Sequence, residues 1–198
     1  MKTLANLTAV FAILFILSTA TQAQNQSFGI DPDASQLTWT GYAEVGSWAP
    51  TGTLRLAKGQ LTQMGRRISS ATMTMDMTSI QHENDRLQRH LRDEAFFDTA
   101  RFLTATFVLR SLSGTTATGQ LTLKGITQPI SFPVTTSQDG TSLRIKGRAL
   151  IDRTLFGIWY NSTSFFADLG DQAIKNEFSL QFDVLAKPIV PTKRSATR

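Results

Sequence analysis

Apolar and polar residues alternate with a period of two in short runs along most of this chain. Residues 119–134 contain two such runs, in which Leu121 and Leu123, and then Ile130 and Phe132, are separated by single polar residues. Alternation of this kind is what a half-buried β-strand requires. The intervening Lys-Gly-Ile-Thr-Gln-Pro supplies a glycine to turn the chain and a proline to end the turn. The segment is therefore predicted to be a β-hairpin with one apolar face.

Similar runs recur through the rest of the chain and are separated by short turn signals that contain glycine. Together with the hairpin they give about eight or nine short strands, antiparallel because their connections are short. A sheet with this many strands and one apolar face closes into a barrel or folds into a sandwich. The further strand-like segments are 37–44, 54–56, 73–77, 105–109, 143–149, 156–166 and 177–184.

One segment lacks this alternation and is predicted to be a short amphipathic helix that ends near Asp93. Asn84 or Asp85 is a suitable N-terminal cap, and Leu87 and Leu91 lie four residues apart on one face. Two phenylalanines follow the helix and can fill apolar space. We expect the helix to pack against one end or one side of the sheet.

The start of the chain is typical of a secretory signal. Lys2 precedes an apolar run from Val10 to Leu17, and Thr21-Gln-Ala23 fits a cleavage site with small residues at both key positions. The run is shorter than the ~20 residues of a membrane-spanning helix. We therefore predict that residues 1–23 are a signal peptide, that no integral membrane segment remains after cleavage, and that the protein is periplasmic or secreted.

Composition and charge remove several classes of function. The chain has no cysteine, which excludes thiolate catalysis, cysteine-based zinc sites and iron–sulfur centres. All 15 acidic residues lie within 24–186, where basic residues equal them in number, so the excess of +5 comes from Lys2 and the end of the chain. A nucleic-acid binder concentrates basic charge on its folded surface. We expect a neutral barrel domain over 24–186, no nucleic-acid partner, and a basic, disordered tail over 187–198.

The side chains suited to catalysis do not form a recognisable catalytic motif. His82 and His90 are eight residues apart, and we expect both to be surface or helix-packing side chains. Carboxylates around the predicted helix are interleaved with arginines, which favours salt bridges over acid–base chemistry. Arg153 follows Asp152 within the apolar part of the chain, and it can either pair with an internal acid or contact an anionic head group.

Phenylalanine dominates the aromatic content, with 13 residues against 3 tryptophans and 2 tyrosines. Many of these aromatics fall at positions that alternation turns inward. A barrel of about eight strands either fills its interior or keeps a cavity for one ligand, and composition does not decide between these. The candidate ligand-binding residues are Trp39, Phe107, Leu121, Leu123, Ile130, Phe132, Leu143, Ile145, Arg153, Phe156, Phe165, Phe178 and Phe182.

Three linked motifs resemble those of the YceI-like proteins. The first, His90-Leu-Arg-Asp-Glu-Ala-Phe-Phe-Asp98 followed by Arg101-Phe-Leu-Thr-Ala-Thr-Phe107, is similar to the family's HL-x-x-x-x-FFD … YP-x-A-x-F signature. The second, Gly119-Gln-Leu-Thr-Leu-Lys-Gly-Ile-Thr127, resembles its G-x-LT-x-KG-x-T hairpin, and the third is Ile151-Asp-Arg-Thr-Leu-Phe-Gly-Ile158. The resemblance spans about residues 30–185 in the family's order.

The resemblance implies an all-β fold with one short helix, an antiparallel eight-stranded lipocalin-like barrel around an apolar tunnel. It also implies an exported, non-enzymatic protein without cofactor or metal, which carries or sequesters an isoprenoid or similar amphiphilic lipid, and a possible homodimer. The alternatives are a filled barrel that acts as a partner-binding or stress-response module, and a lipid-modifying enzyme. One departure is Pro50, where many relatives have a histidine.

Overall fold

The computed structural model describes residues 25–189 as one closed barrel of eight antiparallel strands, in which β8 pairs with β1. One α-helix, α1, and two short 3-10 helices complete it, which confirms the predicted fold. The strands are β1 (Asn25–Thr40), β2 (Thr51–Met64), β3 (Arg67–Gln81), β4 (Thr104–Ser113), β5 (Thr116–Leu123), β6 (Ile126–Asp139), β7 (Ser142–Asp152) and β8 (Glu177–Pro188); α1 is Asp85–Arg92, and the 3-10 helices are Arg153–Phe156 and Gly170–Gln172.

The two ends of the barrel differ in how the strands are connected. At the end that we call the turn end, three two-residue turns each begin with a glycine at positive φ, namely Gly65, Gly114 and Gly140. A first turn residue at positive φ matches the twist of the flanking strands. The long β1–β2, β3–β4 and β7–β8 connections, and with them α1, lie at the opposite end, the loop end. Irregular structure is thus confined to one end of the barrel.

The predicted hairpin forms, but its turn is much shorter than predicted. Lys124 and Gly125 alone connect β5 to β6, both at positive φ (50° and 76°). A turn of this kind needs positive φ at both central residues, which glycine adopts without steric cost. Pro129 lies within β6 opposite Gln120, on a stretch of the strand that has no pairing with β7. The proline is tolerated there because no ladder hydrogen bond from its nitrogen is needed on that side.

Two glycines within strands provide space for aromatic rings of the neighbouring strand. A Cβ atom at Gly147 on β7 would lie 2.5 Å from the ring of Phe182 on β8. A Cβ atom at Gly119 on β5 would lie 2.5 Å from the ring of Phe107 on β4. Each ring therefore covers a strand position that has no side chain of its own.

The predicted helix and its cap are confirmed. The side chain of Asn84 accepts hydrogen bonds from the backbone N–H groups of Arg86 and Leu87 at 2.9 and 3.1 Å, as an N-terminal cap should. Leu91 is buried, and so are both phenylalanines that follow the helix. The helix contacts β3 and covers the loop end of the barrel. Within residues 25–189, no helix combines the length and apolar character needed to cross a membrane.

The prediction of a strand at 156–166 is wrong. The chain instead leaves β7 through a 3-10 helix and then a series of turns. Asp152 starts this departure, because its carboxylate accepts the backbone N–H of Thr154 at 2.8 Å. Gly157 ends the 3-10 helix at φ 72°. Local capping groups, which compete with a strand ladder for backbone donors, therefore override the apolar composition of this segment.

The barrel extends slightly past its predicted C-terminal boundary. Lys187 lies in β8 opposite Gly29, and its Nζ is 2.6 Å from Asp31 Oδ2. The backbone N–H of Ile189 donates to the carbonyl of Ser27 at 2.8 Å. The first residues of the predicted tail therefore belong to the sheet. The predicted signal peptide and the remainder of the tail lie outside the described residues.

Candidate functional site

The interior of the barrel contains two apolar cavities at different heights. The cavity near the turn end has a volume of about 80 Å³, and the cavity near the loop end has a volume of about 100 Å³. We call them the turn-end cavity and the loop-end cavity. Of the two outcomes left open by the composition, a filled core and a continuous tunnel, the structure shows an intermediate: a barrel that is partly filled.

The predicted ligand-binding residues fall into three groups. Most line a cavity, while Leu143 and Phe156 are buried but line neither. Phe165, another candidate, is 51% exposed and stacks on Trp159 with 5.3 Å between ring centroids, so it lies outside the barrel interior, on the loop of residues 157–166. The turn-end cavity is lined by Phe107, Leu121, Ile130, Phe132, Ile145 and Phe182, and the loop-end cavity by Trp39, Leu121, Leu123, Arg153 and Phe178.

Aromatic packing defines the turn-end cavity. Phe132 lies between two other rings, with its centroid 5.2 Å from that of Phe107 and 5.6 Å from that of Phe182. Thr136 is the one polar residue among the described residues that line this cavity. A cavity walled by such side chains stays free of water, because water needs polar partners. It suits an apolar chain.

Four residues line both cavities and therefore lie between them. They are Met75 on β3, Leu121 on β5, Ile151 on β7 and Leu180 on β8. Because these strands are distributed around the barrel, the four side chains surround the level at which the two cavities meet, and we call this group the septum. Sequence alternation correctly indicates that residues of this kind point inward, but it does not reveal which of them meet at one level.

Arg153 is the charged residue that the interior accommodates. Its side chain is 2% exposed, and it donates to three backbone carbonyls. Nε donates to Lys175 O at 3.1 Å, Nη1 to Ile158 O at 2.8 Å, and Nη2 to Ile174 O at 3.0 Å. Its carbon Cζ lies 5.7 Å from the ring centroid of Phe96, within range of a cation–π contact. The predicted pairing with an internal acid is therefore wrong, because carbonyls take that place.

The charge of Arg153 lies on the wall of the loop-end cavity, which Lys175 and Glu177 also line. Burial lowers the pKa of the Arg153 guanidinium, and the nearby charge of Asp152 acts in the opposite direction. A guanidinium starts from so high a pKa that it keeps its proton in proteins. The carboxylate of Asp152 is engaged elsewhere, since it accepts from the N–H and hydroxyl groups of Thr154 at 2.8 and 2.6 Å. The buried positive charge of Arg153 is thus stabilised by the dipoles of uncharged backbone carbonyls.

Besides Arg153, the loop-end cavity is lined by Tyr42, Lys175 and Glu177 and by two rings with buried nitrogen atoms, those of Trp39 and His90. Trp39 Nε1 and His90 Nε2 are buried, and neither has a hydrogen-bond partner. The ring of His90 packs against those of Tyr160 and Phe96, with centroid distances of 4.3 and 5.5 Å. His90 was expected to be a surface or helix-packing side chain; it lies on α1 and packs against two rings outside that helix, and its buried nitrogen is a feature that spacing along the sequence does not show.

The loop-end cavity reaches the surface between α1 and the β1–β2 connection. Trp48 lies on that connection and is 58% exposed, yet it lines the cavity together with Pro50. Leu87 and His90 of α1 form the facing side. Pro50 and Leu87 make this side of the cavity apolar.

The predicted salt bridges around α1 are not found. Among the ion pairs of residues 25–189, none joins a carboxylate beside α1 to a basic side chain. Arg92 instead donates to Ile80 O at 2.6 Å, and Lys124 donates to Glu94 O at 2.7 Å. No group of three or more His, Asp or Glu side chains within the described part of the chain is arranged to hold a metal ion.

The chain is similar to several known proteins. The family model described as the YceI-like domain matches residues 28–186. A UPF0312 protein of Staphylococcus aureus strain USA300 is 35% identical over 98 residues, which are 46% of this chain and 57% of that protein. The chain therefore matches little more than half the length of these curated relatives.

Solved structures share the fold at low sequence identity. The crystal structure of Burkholderia cenocepacia BcnA has a TM-score of 0.65 and 22% identity, covering 80% of this chain and 99% of that one. A polyisoprenoid binding domain from Saccharophagus degradans, implicated in plant cell wall breakdown, has a TM-score of 0.62 and 15% identity, covering 85% and 99%. Since the family model extends from β1 to β8, the chain belongs to the YceI-like domain family.

Proposed function

We propose that the barrel binds one long apolar or amphiphilic molecule of the isoprenoid type in its interior and carries or sequesters it without chemical change. The observation that carries this proposal is the pair of apolar cavities stacked along a closed barrel. The polyisoprenoid binding domain from Saccharophagus degradans, which shares the fold, supports the choice of ligand class.

The septum determines how such a ligand would fit. Ligand pockets have volumes of ~300–1,000 Å³, and each cavity here is well below that range, at about 80 and 100 Å³. A long chain must therefore occupy both cavities and displace the septum. Met75 and Leu180 are suited to that movement, because both are unbranched at Cβ and can change rotamer more easily than Ile151.

The energetics favour a long ligand over a short one. Burying roughly 400 Å² of apolar ligand surface at ~25 cal/mol per Å² gives about 10 kcal/mol, against association costs of ~4–15 kcal/mol. Useful affinity therefore requires that most of the interior be occupied and dry. A chain that fills one cavity alone would bind weakly.

We also propose that the protein acts in the periplasm or outside the cell. The signal-like segment at residues 1–23 supports export. Cell fractionation with an antibody against the barrel tests this point. Recovery of the full-length chain in the cytosol alone would contradict it.

The ligand proposal is tested with the purified chain. Extraction with organic solvent followed by mass spectrometry should recover one isoprenoid-type molecule per barrel, and emptied protein should bind added isoprenoid alcohols with affinity that rises with chain length. If repeated preparations contain no stoichiometric lipid and no isoprenoid binds in titration, the carrier function is wrong.

A pair of matched variants tests whether the septum limits access. Leu180→Ala removes part of the septum, whereas Leu143→Ala removes the same number of atoms from a buried residue that lines neither cavity. Both changes should reduce the free energy of unfolding by about 2–4 kcal/mol. Leu180→Ala alone should raise affinity for chains long enough to span both cavities, by about 3- to 10-fold. Equal ligand binding by the two variants would show that the septum does not control entry.

A further inference from the structure

The ladder between β6 and β7 is incomplete. It runs from the turn end as far as Val134 and Gly147 and then stops, although both strands continue toward the loop end. Among the described strand pairs, none joins residues 126–133 of β6 to residues 148–152 of β7. Each stretch is paired on its other side, the first with β5 and the second with β8. We call the interval between the two stretches the seam.

Two prolines prevent the ladder from continuing along the seam. In an antiparallel sheet, successive residues of a strand point their N–H groups to opposite neighbours. The N–H of Val134 donates to Thr115 O on the β5 side at 2.7 Å, so Pro133 and Pro129 face β7. Proline has no N–H to donate. The ladder therefore ends at the first position where β6 would have to supply a donor that it lacks.

Polar contacts close the loop end of the seam and hold β6 to its other neighbour. Gln128 Nε2 donates at 3.2 Å to Leu155 O, on the 3-10 helix that follows β7. In the middle of the unpaired stretch, Ser131 Oγ lies 2.8 Å from Thr118 Oγ1 of β5. The β5–β6 hairpin and the β7–β8 pair are thus two internally hydrogen-bonded lips. Parting them between the two closed ends disrupts apolar contacts but breaks no ladder hydrogen bond.

The inward side chains on the two edges of the seam line the turn-end cavity. They are Ile130 and Phe132 on β6, and Ala149 and Ile151 on β7. Ile151 also belongs to the septum, and the register of the ladder, if continued, places it opposite Ile130. On the outer face, Leu150 of the same edge is 56% exposed. An apolar chain that parted the seam would therefore reach the interior at the level where the two cavities meet.

The ladder between β3 and β4 is also incomplete, but in a different place. Its pairing stops at Thr72 and Val108, which leaves the turn-end parts of both strands unpaired. At the level of the septum this ladder is intact, since Met75 pairs with Ala105. An opening there would lead to the turn-end cavity alone, whereas the seam lies beside a septum residue.

We propose that the seam is a lateral entrance, through which the apolar chain of the ligand enters both cavities without being threaded past α1 from one end. The two lips separate while the chain passes and close again behind it. This inference rests on the proposed function, because it assigns the route by which the same ligand enters and leaves.

The first test locks the seam with a cross-link. Ser131→Cys and Leu150→Cys together place thiols on opposite edges, in the register that Val134 and Gly147 begin. The chain has no cysteine of its own, so a short bismaleimide reacts at these two sites alone. The probe is a long-chain isoprenoid alcohol, mixed with the emptied full-length protein and followed by stopped-flow tryptophan fluorescence. The cross-link should slow both binding and release by about 10-fold or more, because binding then lacks the movement that admits the chain.

A second cross-link in the same pair of strands is the matched control. Thr135→Cys and Lys146→Cys together place thiols on exposed residues that are already paired within the intact ladder. The same bismaleimide should leave the rates of binding and release unchanged there. If the two cross-links slow exchange equally, the effect is a general stiffening of the barrel, and the seam is not the entrance.

Hydrogen exchange tests the seam in the wild type. The N–H of Arg153 donates to the β8 side at 2.9 Å, so alternation turns the N–H of Ile151 toward β8 and that of Leu150 into the seam. The amide of Leu150 should therefore exchange more than about 10-fold faster than that of Ile151. Combining Pro129→Thr with Pro133→Thr supplies the missing donors, and it should protect the Leu150 amide and slow the entry of the probe.

The outcomes separate the two proposals. If the isoprenoid alcohol does not bind the protein without a cross-link, both the carrier function and the lateral entrance are wrong. If it binds and the cross-link across the seam leaves both rates unchanged, the carrier function stands and the lateral entrance is overturned. The entrance is also overturned if the amides of Leu150 and Ile151 are equally protected in the wild type.

Discussion

The turn end and the loop end of the barrel place their charges on opposite sides of the wall. Beside the turn-end cavity, Arg144 and Lys146 on β7 each pair with Asp183 on β8 at 2.9 Å on the outer face, while Phe182, the neighbour of Asp183, lines the interior. Beside the loop-end cavity, Arg153 is inside, and its partners are backbone carbonyls. The turn end thus has charged side chains outside and apolar side chains inside, as a half-buried sheet should. The loop end departs from this pattern, because it has a charged side chain inside.

The difference follows from how each region is built. Regular strands joined by two-residue turns leave no spare carbonyls inside, so only apolar side chains fit there. The loop end receives the long β7–β8 connection, whose carbonyls at Ile158, Ile174 and Lys175 are free to hold a guanidinium. Departures from local folding rules are expected at functional sites. The turn end therefore keeps the pattern of a regular sheet, and the loop end departs from it where an irregular connection supplies free carbonyls.

The largest loss of stability is expected from a change that disrupts the apolar packing of the turn end. Phe132→Ala removes the ring that contacts both Phe107 and Phe182 and enlarges an existing cavity. The free energy of unfolding should fall by about 3–5 kcal/mol in urea denaturation. Phe165→Ala, the same change on an exposed ring, should stay within about 0.5 kcal/mol of the wild type. If the two variants lost similar amounts of unfolding free energy, an aromatic ring in the interior would stabilise the fold no more than an exposed ring in the loop.

A somewhat smaller effect is expected from the buried cation of the loop end. Arg153→Met replaces the guanidinium with an apolar side chain of similar length and leaves three carbonyl oxygens without their donor. We expect a loss of about 2–4 kcal/mol in the same urea assay, because unsatisfied buried acceptors are costly.

Arg153→Lys is the control for charge alone. Lysine keeps the positive charge but cannot direct three donors in the planar fork of a guanidinium. Its stability should therefore lie well below that of the wild type. If Arg153→Lys equals the wild type, charge rather than directed hydrogen bonding holds this region. If Arg153→Met is as stable as the wild type, the internal guanidinium has no structural role.

The same comparison explains what the sequence could predict. Alternation correctly places Leu123 and Phe132 inside, and the cap at Asn84 marks the helix, because these signals depend on neighbours close in sequence. The partners of Arg153 could not be predicted, since backbone carbonyls carry no residue-specific signal. The septum and the unsatisfied nitrogen of Trp39 depend on how distant strands meet, which periodicity does not specify.

The smallest expected effect is on the charges outside the turn end. Hydrogen bonds from Lys146 and then Arg144 hold the pKa of Asp183 below its ordinary value of 3.8. Because the pKa is lower in the folded state, these pairs add stability at pH values above the ordinary pKa and lose it as the pH falls through the folded pKa. These side chains are partly exposed, so Asp183→Asn should cost only ~0.2–1 kcal/mol near neutral pH, and less in high salt.

The pH dependence of that small loss distinguishes the two regions. The difference in unfolding free energy between the wild type and Asp183→Asn should shrink toward zero as the pH falls from the ordinary pKa of 3.8 through the lower pKa of Asp183 in the folded state, because the carboxylate is then protonated in both states. The loss caused by Arg153→Met should stay constant over the same range, because the guanidinium keeps its proton throughout. If Asp183→Asn lowers the unfolding free energy equally at neutral and acidic pH, the side chain of Asp183 contributes through packing and not through its charge. The pH dependence would then no longer distinguish Asp183 from Arg153. A loss at Arg153 that varies with pH in this range would instead show that an acid, and not the carbonyls, balances the buried cation.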